Sequence, residues 1–232
     1  MLTESELARY RPPRRRAHIA RAALLALFVV DLVAIWSSQA EYTLLGRIGA
    51  GEFITDEEIS SNDNRQAAFG VVQLALYLFC VVSFLVWFVR AYRNAEALGG
   101  DGLRSSPRGA VGWWFVPILN LFKPKQIAND VWRASSPELP LERQRQWDLG
   151  DPPFLLLAWW LAFLVAGAAG NYALRYGRRA ETVEELQRLD RIYMAADSLD
   201  ALAAALAIVV ITLLTRRQEV RFERASAVTQ EA

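Results

Sequence analysis

The feature that most constrains this chain is the segregation of its apolar residues into long blocks, with the charges sitting almost wholly between them. A soluble helix or strand repeats its apolar residues at short period, so unbroken blocks point instead to a bilayer. A hydrocarbon core about 30 Å thick needs about 20 mostly apolar residues to cross as a helix. Four stretches meet that length: residues 17–38, 67–89, 154–174 and 195–215. Mean hydropathy is only +0.14 and net charge only +1, because heavily charged loops dilute the four apolar stretches. The expected organisation is a basic amino-terminal segment at 1–16, a four-span membrane domain at 17–215 and a basic tail at 216–232.

A fifth apolar stretch, Val111 to Phe122, reads VGWWFVPILNLF. It is too short to cross as a straight helix, and Pro117 removes a backbone donor from its middle. Such backbone survives at membrane depth only where protein or water satisfies it. The stretch is therefore read as a re-entrant or interfacial element, within residues 109–136. The following PKQIANDVWRAS places Ile127, Val131 and Ala134 on one helical face, an amphipathic helix expected at the inner surface with Trp132 at headgroup level. Lys123, Lys125 and Arg133 would meet anionic lipid there.

Lysine and arginine set the orientation. With both termini cytoplasmic, 19 of the 26 basic residues lie inside and 7 outside. A full crossing by the fifth stretch would expel the basic tail TRRQEVRFER, so four crossings are expected. RPPRRR followed by an apolar run and Ser38-Gln39-Ala40 resembles a secretory signal. The run is longer than a usual signal core and Asp31 interrupts it, which favours a retained span; cleavage would leave three.

Several chemistries are excluded or unsupported. Cys80 and His18 are the only residues of their types, so neither a disulfide nor a zinc site is expected. The balanced charge gives no field for nucleic acid. Gly46, Gly49 and Gly51 follow no strand of a βαβ unit, so a phosphate loop is a poor reading and a turn a good one. Thr55 and Glu58 fit a capping box, so a short helix is expected to start there. No nucleophile, metalloprotease or nucleotide motif occurs, and no cofactor is expected.

The run Trp113-Trp114-Phe115-Val116-Pro117, with Asn120-Leu121, Pro124 and Trp132-Arg133-Ala134-Ser135, resembles the DUF4328 family of bacterial membrane proteins. RAYRNAEALG, LRSSPRG and a tail of the LLTRRQE kind add to the resemblance, which runs from the second span to the tail. Phe122 departs mildly, standing where Trp or another large residue is expected. The resemblance implies a bacterial polytopic protein of the cytoplasmic membrane and carries no activity.

Three constellations remain. Asp31, Gln73, Asn171 and the pair Asp197 and Asp200 put a polar side chain in the outer half of each span, at depths of roughly 5–10 Å. Ionisable groups there are costly and face the interior or water. The layer is either an outward polar cavity for a proton or cation, with Arg175 reaching down to it, or a hydrogen-bond network that fixes packing. Trp113, Trp114, Phe115, Pro117, Asn120, Pro124, Trp132 and Arg133 form the second constellation, a docking face for a protein partner or lipid, or else a structural plug. The third is the small-residue run Ala166 to Gly170, which suits close helix packing within the chain or between copies. The sequence thus favours an all-α, four-span, non-enzymatic membrane module working through its Trp/Pro motif. The alternative is a small oligomeric transporter or channel-like protein using the polar layer.

Overall fold

A computed structural model describes residues 4–100, 102–138 and 150–231. Among these residues the chain is helix and turn, without a strand. The elements are α1 (Glu4–Leu7), α2 (Arg14–Gly49), α3 (Asp56–Ala97), α4 (Gly109–Gly112), a 3-10 turn (Leu119–Leu121), α5 (Lys123–Ala134), α6 (Phe154–Gly177) and α7 (Val183–Glu231). Helices α2, α3, α6 and α7 are each long and apolar enough to cross a bilayer. The chain is a multi-pass, all-α membrane protein.

Local chemistry sets the helix ends. α2 starts directly after Pro12-Pro13, whose fixed φ suits a first turn and whose missing N–H costs nothing there. It ends in a Schellman motif: Glu52 N donates to Arg47 O at 3.1 Å and Gly51 N to Ile48 O at 3.0 Å, with Gly51 at φ +77°. α3 ends the same way at Gly99, where φ is +93°. Its start is capped by Thr55, whose Oγ1 accepts from Glu58 N at 3.2 Å. The capping box expected at Thr55 thus opens a 42-residue helix rather than a short one. Thr182 and Glu185 form a reciprocal box at the start of α7.

The long helices outrun their apolar stretches. At 1.5 Å per residue, the 49 residues of α7 span about 73 Å against a core of about 30 Å. Charged helical extensions, rather than loops, account for much of the low mean hydropathy. Large apolar side chains such as Leu25, Val71, Leu74, Leu161 and Leu202 are exposed, whereas Ala20, Ala23, Ala34, Ala166, Ala201 and Ala204 are buried. That distribution suits lipid outside and close backbone approach within.

The chain divides into two compact units. The first comprises Met1–Ala22, Val81–Trp159 and Ala207–Ala232; the second comprises Ala23–Cys80 and Trp160–Leu206. The first unit holds both chain ends and an aromatic core. Phe84 packs against Trp87, Trp114 and Trp159 with centroids 5.5–5.7 Å apart, and Trp87 Nε1 donates to Thr215 Oγ1 at 3.1 Å. Beside it lies a fully buried polar hub. Gln218 Nε2 donates to Ala91 O at 2.7 Å and Ser135 Oγ at 3.1 Å, while its Oε1 accepts from Asn94 Nδ2 at 3.3 Å. Asn94 in turn clasps the backbone of Arg11 through both its amide atoms. One glutamine therefore links α7 to α3, to the end of α5 and, through Asn94, to the chain ahead of α2. Leucine at this position strands several buried groups at once, each worth about 1–3 kcal/mol. Gln218→Leu is expected to lower the unfolding midpoint in detergent markedly. Arg14→Ala, which removes an exposed pair with Glu219, leaves the midpoint nearly unchanged.

Candidate functional site: a two-tiered carboxylate seam

The second unit contains a seam of polar side chains shared by α2, α3 and α7. Its residues recur every seven positions on α3 (Gln66, Gln73) and on α7 (Asp190, Asp197), so each set lies on one helix face. α2, running the other way, supplies Asp31 and Glu41. In the deeper tier, Gln73 Nε2 donates to Asp31 Oδ1 at 3.3 Å and to Asp197 Oδ1 at 3.1 Å. Asp200, one turn along α7, acts electrostatically on both carboxyls. In the shallower tier, Gln66 Nε2 donates to Glu41 and to Ser37 O, and Gln66 Oε1 accepts from Ser37 Oγ at 3.2 Å. The Asp190 carboxyl lies against Glu41. Each tier is thus a carboxyl from α2, a glutamine from α3 and an aspartate from α7. The seven-residue step separates the tiers by about 10 Å.

The balance of donors and acceptors in the seam is uneven. Asp31 is 2% exposed and Asp190 3% exposed, yet Oδ2 of each has no donor. A buried carboxylate oxygen without a donor is costly. The Arg65 guanidinium donates to Ser37 Oγ at 3.1 Å and to Asn62, and stacks over Trp36 instead of pairing with the deeper tier. No hydrogen bond or ion pair among the described residues joins Arg175 to the seam. Among the described residues no group of three or more histidine, cysteine, aspartate or glutamate side chains is arranged to hold a metal ion. The glutamines also present N–H groups to the carboxyls, so those lone pairs are occupied by donors and are not turned toward a metal ion.

Of the polar residues expected from sequence, the structure brings together Asp31, Gln73, Asp197 and Asp200. Asn171 stays apart: its Nδ2 donates to Gly167 O of its own helix at 2.8 Å, and the side chain is exposed. The shallower tier of Glu41, Gln66 and Asp190 was missed because it lies beyond the apolar stretches. The seven-residue repeat of Gln66 with Gln73, and of Asp190 with Asp197, is the signal that finds it.

The Trp/Pro constellation lies in the first unit, and most of its specific residues are engaged internally. Trp132 is buried at 8% exposure, under the Arg217 guanidinium 4.4 Å from its ring centroid. Arg133 donates to Gly150 O at 2.6 Å and lies 3.8 Å from Asp130. Asp130 also takes a forked pair from Arg104 at 2.7 and 3.1 Å. Burial pushes the Asp130 carboxyl above its ordinary value, and Arg104 pulls it part of the way back. α5 is amphipathic as expected, but Ile127, Val131, Ala134 and Pro124 face into the protein. Trp114 packs edge-on against Phe84 and Phe88, and its Nε1 donates to Ala110 O at 3.1 Å. Trp113 is half-buried beside Gly109, where a Cβ would meet its Nε1 at 2.9 Å and Ser105 Oγ at 2.4 Å. Asn120 does not cap α5, which begins without a side-chain cap.

Phe115, Val116, Ile118, Leu119, Leu121 and Phe122 are left exposed, an apolar ridge around Pro117. The segment turns there without forming a spanning helix. Ile118 has φ +67° and ψ −49°, and Leu119 N donates to Pro117 O at 2.8 Å. That is the strained form of the γ-turn, held by a β-branched residue that ordinarily avoids it.

A family model described as "Domain of unknown function (DUF4328)" matches residues 50–216. The chain belongs to the DUF4328 family. No curated protein and no solved structure matches it. The DUF4328 match takes in α3 to α6 and α7 as far as residue 216, and with them Gln66, Gln73, Asp190, Asp197 and the whole Trp/Pro motif; Arg217 and Gln218 fall just beyond it. Asp31 and Glu41, on α2, lie outside it.

Two measurements follow. Asp190 sits in the polar extension of α7, ahead of the apolar stretch. Burial first, and the adjacent Glu41 second, push its carboxyl from 3.8 up to about 8. The folded protein therefore holds this proton more tightly than the unfolded chain. The resulting stability is fully present below pH about 4 and is lost as pH rises through about 8. Asp190→Asn is expected to flatten that dependence, unfolding later than the parent at pH 9 and no later at pH 4. Separately, Ile118→Gly relieves a left-handed residue and should raise the unfolding midpoint in detergent by the equivalent of about 1 kcal/mol.

Proposed function

We propose that this protein is a channel-like membrane protein that passes protons along the carboxylate seam. The observation that carries the reading is the repeated tier of carboxyl, amide and carboxyl, with donor-less oxygens on Asp31 and Asp190. A proton arriving at either tier supplies the donor that the fixed side chains lack. Glu41 and Asp190 are the entry tier, and Asp31 and Asp197 the receiving tier. Water bridges the roughly 10 Å between them, and Ser37 and Gln66 order the shallower end. Asp200, one turn along α7, adds a further carboxyl beside the deeper tier. Four spans are few for a transporter, so a homo-oligomer is the working form. Exposed Gly167 and Ala168 on α6 suit close contact between copies. Both termini face the cytoplasm and the seam opens outward, in line with the basic residues.

One observation favours a second role. The exposed apolar ridge Phe115–Phe122 is followed by Lys123 and Lys125, the composition of an interfacial anchor. The ridge lies in lipid at the inner interface and holds the first unit there. Protein docking through Trp132 and Arg133 is disfavoured, because both are already occupied within the chain.

The test is proton flux into proteoliposomes under an imposed potassium potential, read with a trapped pH dye. The parent protein is expected to pass protons, and Asp31→Asn and Asp197→Asn each to remove most of that flux while unfolding cooperatively near the parent midpoint. Equal flux from parent and variants, or none from the parent, overturns the reading.

A further inference from the structure

A second charged feature lies in the first unit, apart from the seam. A cavity of about 530 Å³ is lined by Glu6 and Arg9 from the amino-terminal segment, by Arg90, Arg93 and Glu96 from the last turns of α3, and by Leu103 beyond it. Arg90 and Arg93 share a helix face at spacing three. Five described arginines elsewhere pair with carboxylates: Arg14 with Glu219, Arg47 with Glu52 and Glu58, Arg104 and Arg133 with Asp130, and Arg217 with Glu138. Arg9, Arg90 and Arg93 have no ion pair among the described residues. Arg11, Arg16 and Arg93 all crowd Arg90 with like charge. Even counting Glu6 and Glu96, the surroundings are net positive.

Like-charged guanidinium groups around a polar cavity are stabilised by an anion with several acceptor oxygens. Planar guanidinium forks match phosphate oxygens in pairs. Position narrows the source. Arg90 immediately follows the apolar stretch 67–89, so it stands where a spanning helix leaves the hydrocarbon and meets phosphate headgroups. The two carboxylates add a second condition, since they repel a bare polyanion but accept hydrogen bonds from hydroxyls. We infer that this cavity binds the headgroup of an anionic glycerophospholipid, with the phosphodiester on Arg9, Arg90 and Arg93 and headgroup hydroxyls on Glu6 and Glu96. The site is distinct from the seam, and its lipid does not enter the proton path.

Native mass spectrometry of the full chain, titrated in detergent with phosphatidylglycerol, phosphatidylcholine or glycerol 3-phosphate, tests the assignment. Phosphatidylglycerol is expected to remain as a one-to-one adduct and phosphatidylcholine to be lost. Arg90→Gln with Arg93→Gln should weaken the adduct roughly tenfold, a change of about 1.4 kcal/mol. Arg93→Lys, which keeps the charge and loses the fork, should fall between, and it keeps the test decisive if the double variant unfolds. Equal retention by parent and both variants, or equal retention of phosphatidylcholine, overturns the site. Glycerol 3-phosphate binding as tightly as the lipid overturns the lipid assignment in favour of a free phosphate ester. Proton flux is expected to be the same in Arg93→Lys as in the parent, so failure here is separable from failure of the seam.

Discussion

A polar group buried among apolar helices has no water to turn to and must find its partner inside the protein. This chain meets that constraint with glutamine. An amide both donates and accepts, so one side chain can join two or three neighbours. Gln73 bridges carboxyls from α2 and α7; Gln66 ties α3 to Ser37 and Glu41; Gln218 ties α7 to α3 and α5. Replacing any of them by an apolar residue of similar size leaves carboxyls or carbonyls stranded. The two units therefore share one packing device with different results. The Gln218 hub satisfies its members, whereas the tiers at Gln66 and Gln73 leave Asp31 and Asp190 each with an oxygen lacking a donor. A complete network is structural; an incomplete one is where a ligand as small as a proton has something to do.

The family motif changes meaning once its contacts are visible. Trp132, Arg133 and Ser135 sit on Arg217, Asp130 and Gln218, and Trp114 enters the aromatic core. These residues hold α5 and the turn before it against α3 and α7. Membership of the DUF4328 family therefore speaks first to fold. The apolar ridge from Phe115 to Phe122, with its strained γ-turn at Ile118, is the part of the segment that the scaffold does not consume. A strained, exposed, apolar turn is a poor loop in water and a serviceable wedge in lipid.

Much of the fold was legible in the sequence. The four spans follow from apolar length, the start of α3 from Thr55 and Glu58, and the lack of a long helix over residues 111–122 from Pro117 and short length. Hydropathy could not show that α2, α3 and α7 continue far beyond the lipid, because charged residues form helices as readily as apolar ones. That blindness also hid Glu41, Gln66 and Asp190. Asn171 was misleading for a different reason: depth in a span was visible, but direction was not, and its amide turns back onto Gly167. Trp132 was placed at a surface because an amphipathic period does not say whether the apolar face meets lipid or protein. Nothing local marks Arg9 for the company of Arg90 and Arg93, which only the fold assembles.

Gln73 joins α2 and α7 through one hydrogen-bonded tier. A double-mutant cycle across that tier tests it directly. Unfolding free energies are measured in bicelles for the parent, Gln73→Leu, Asp197→Ala and the pair, with Asp31 left in place. A coupling of about 0.6 kcal/mol or more is expected, the average size of a hydrogen bond between membrane helices. Strict additivity of the two substitutions would contradict it.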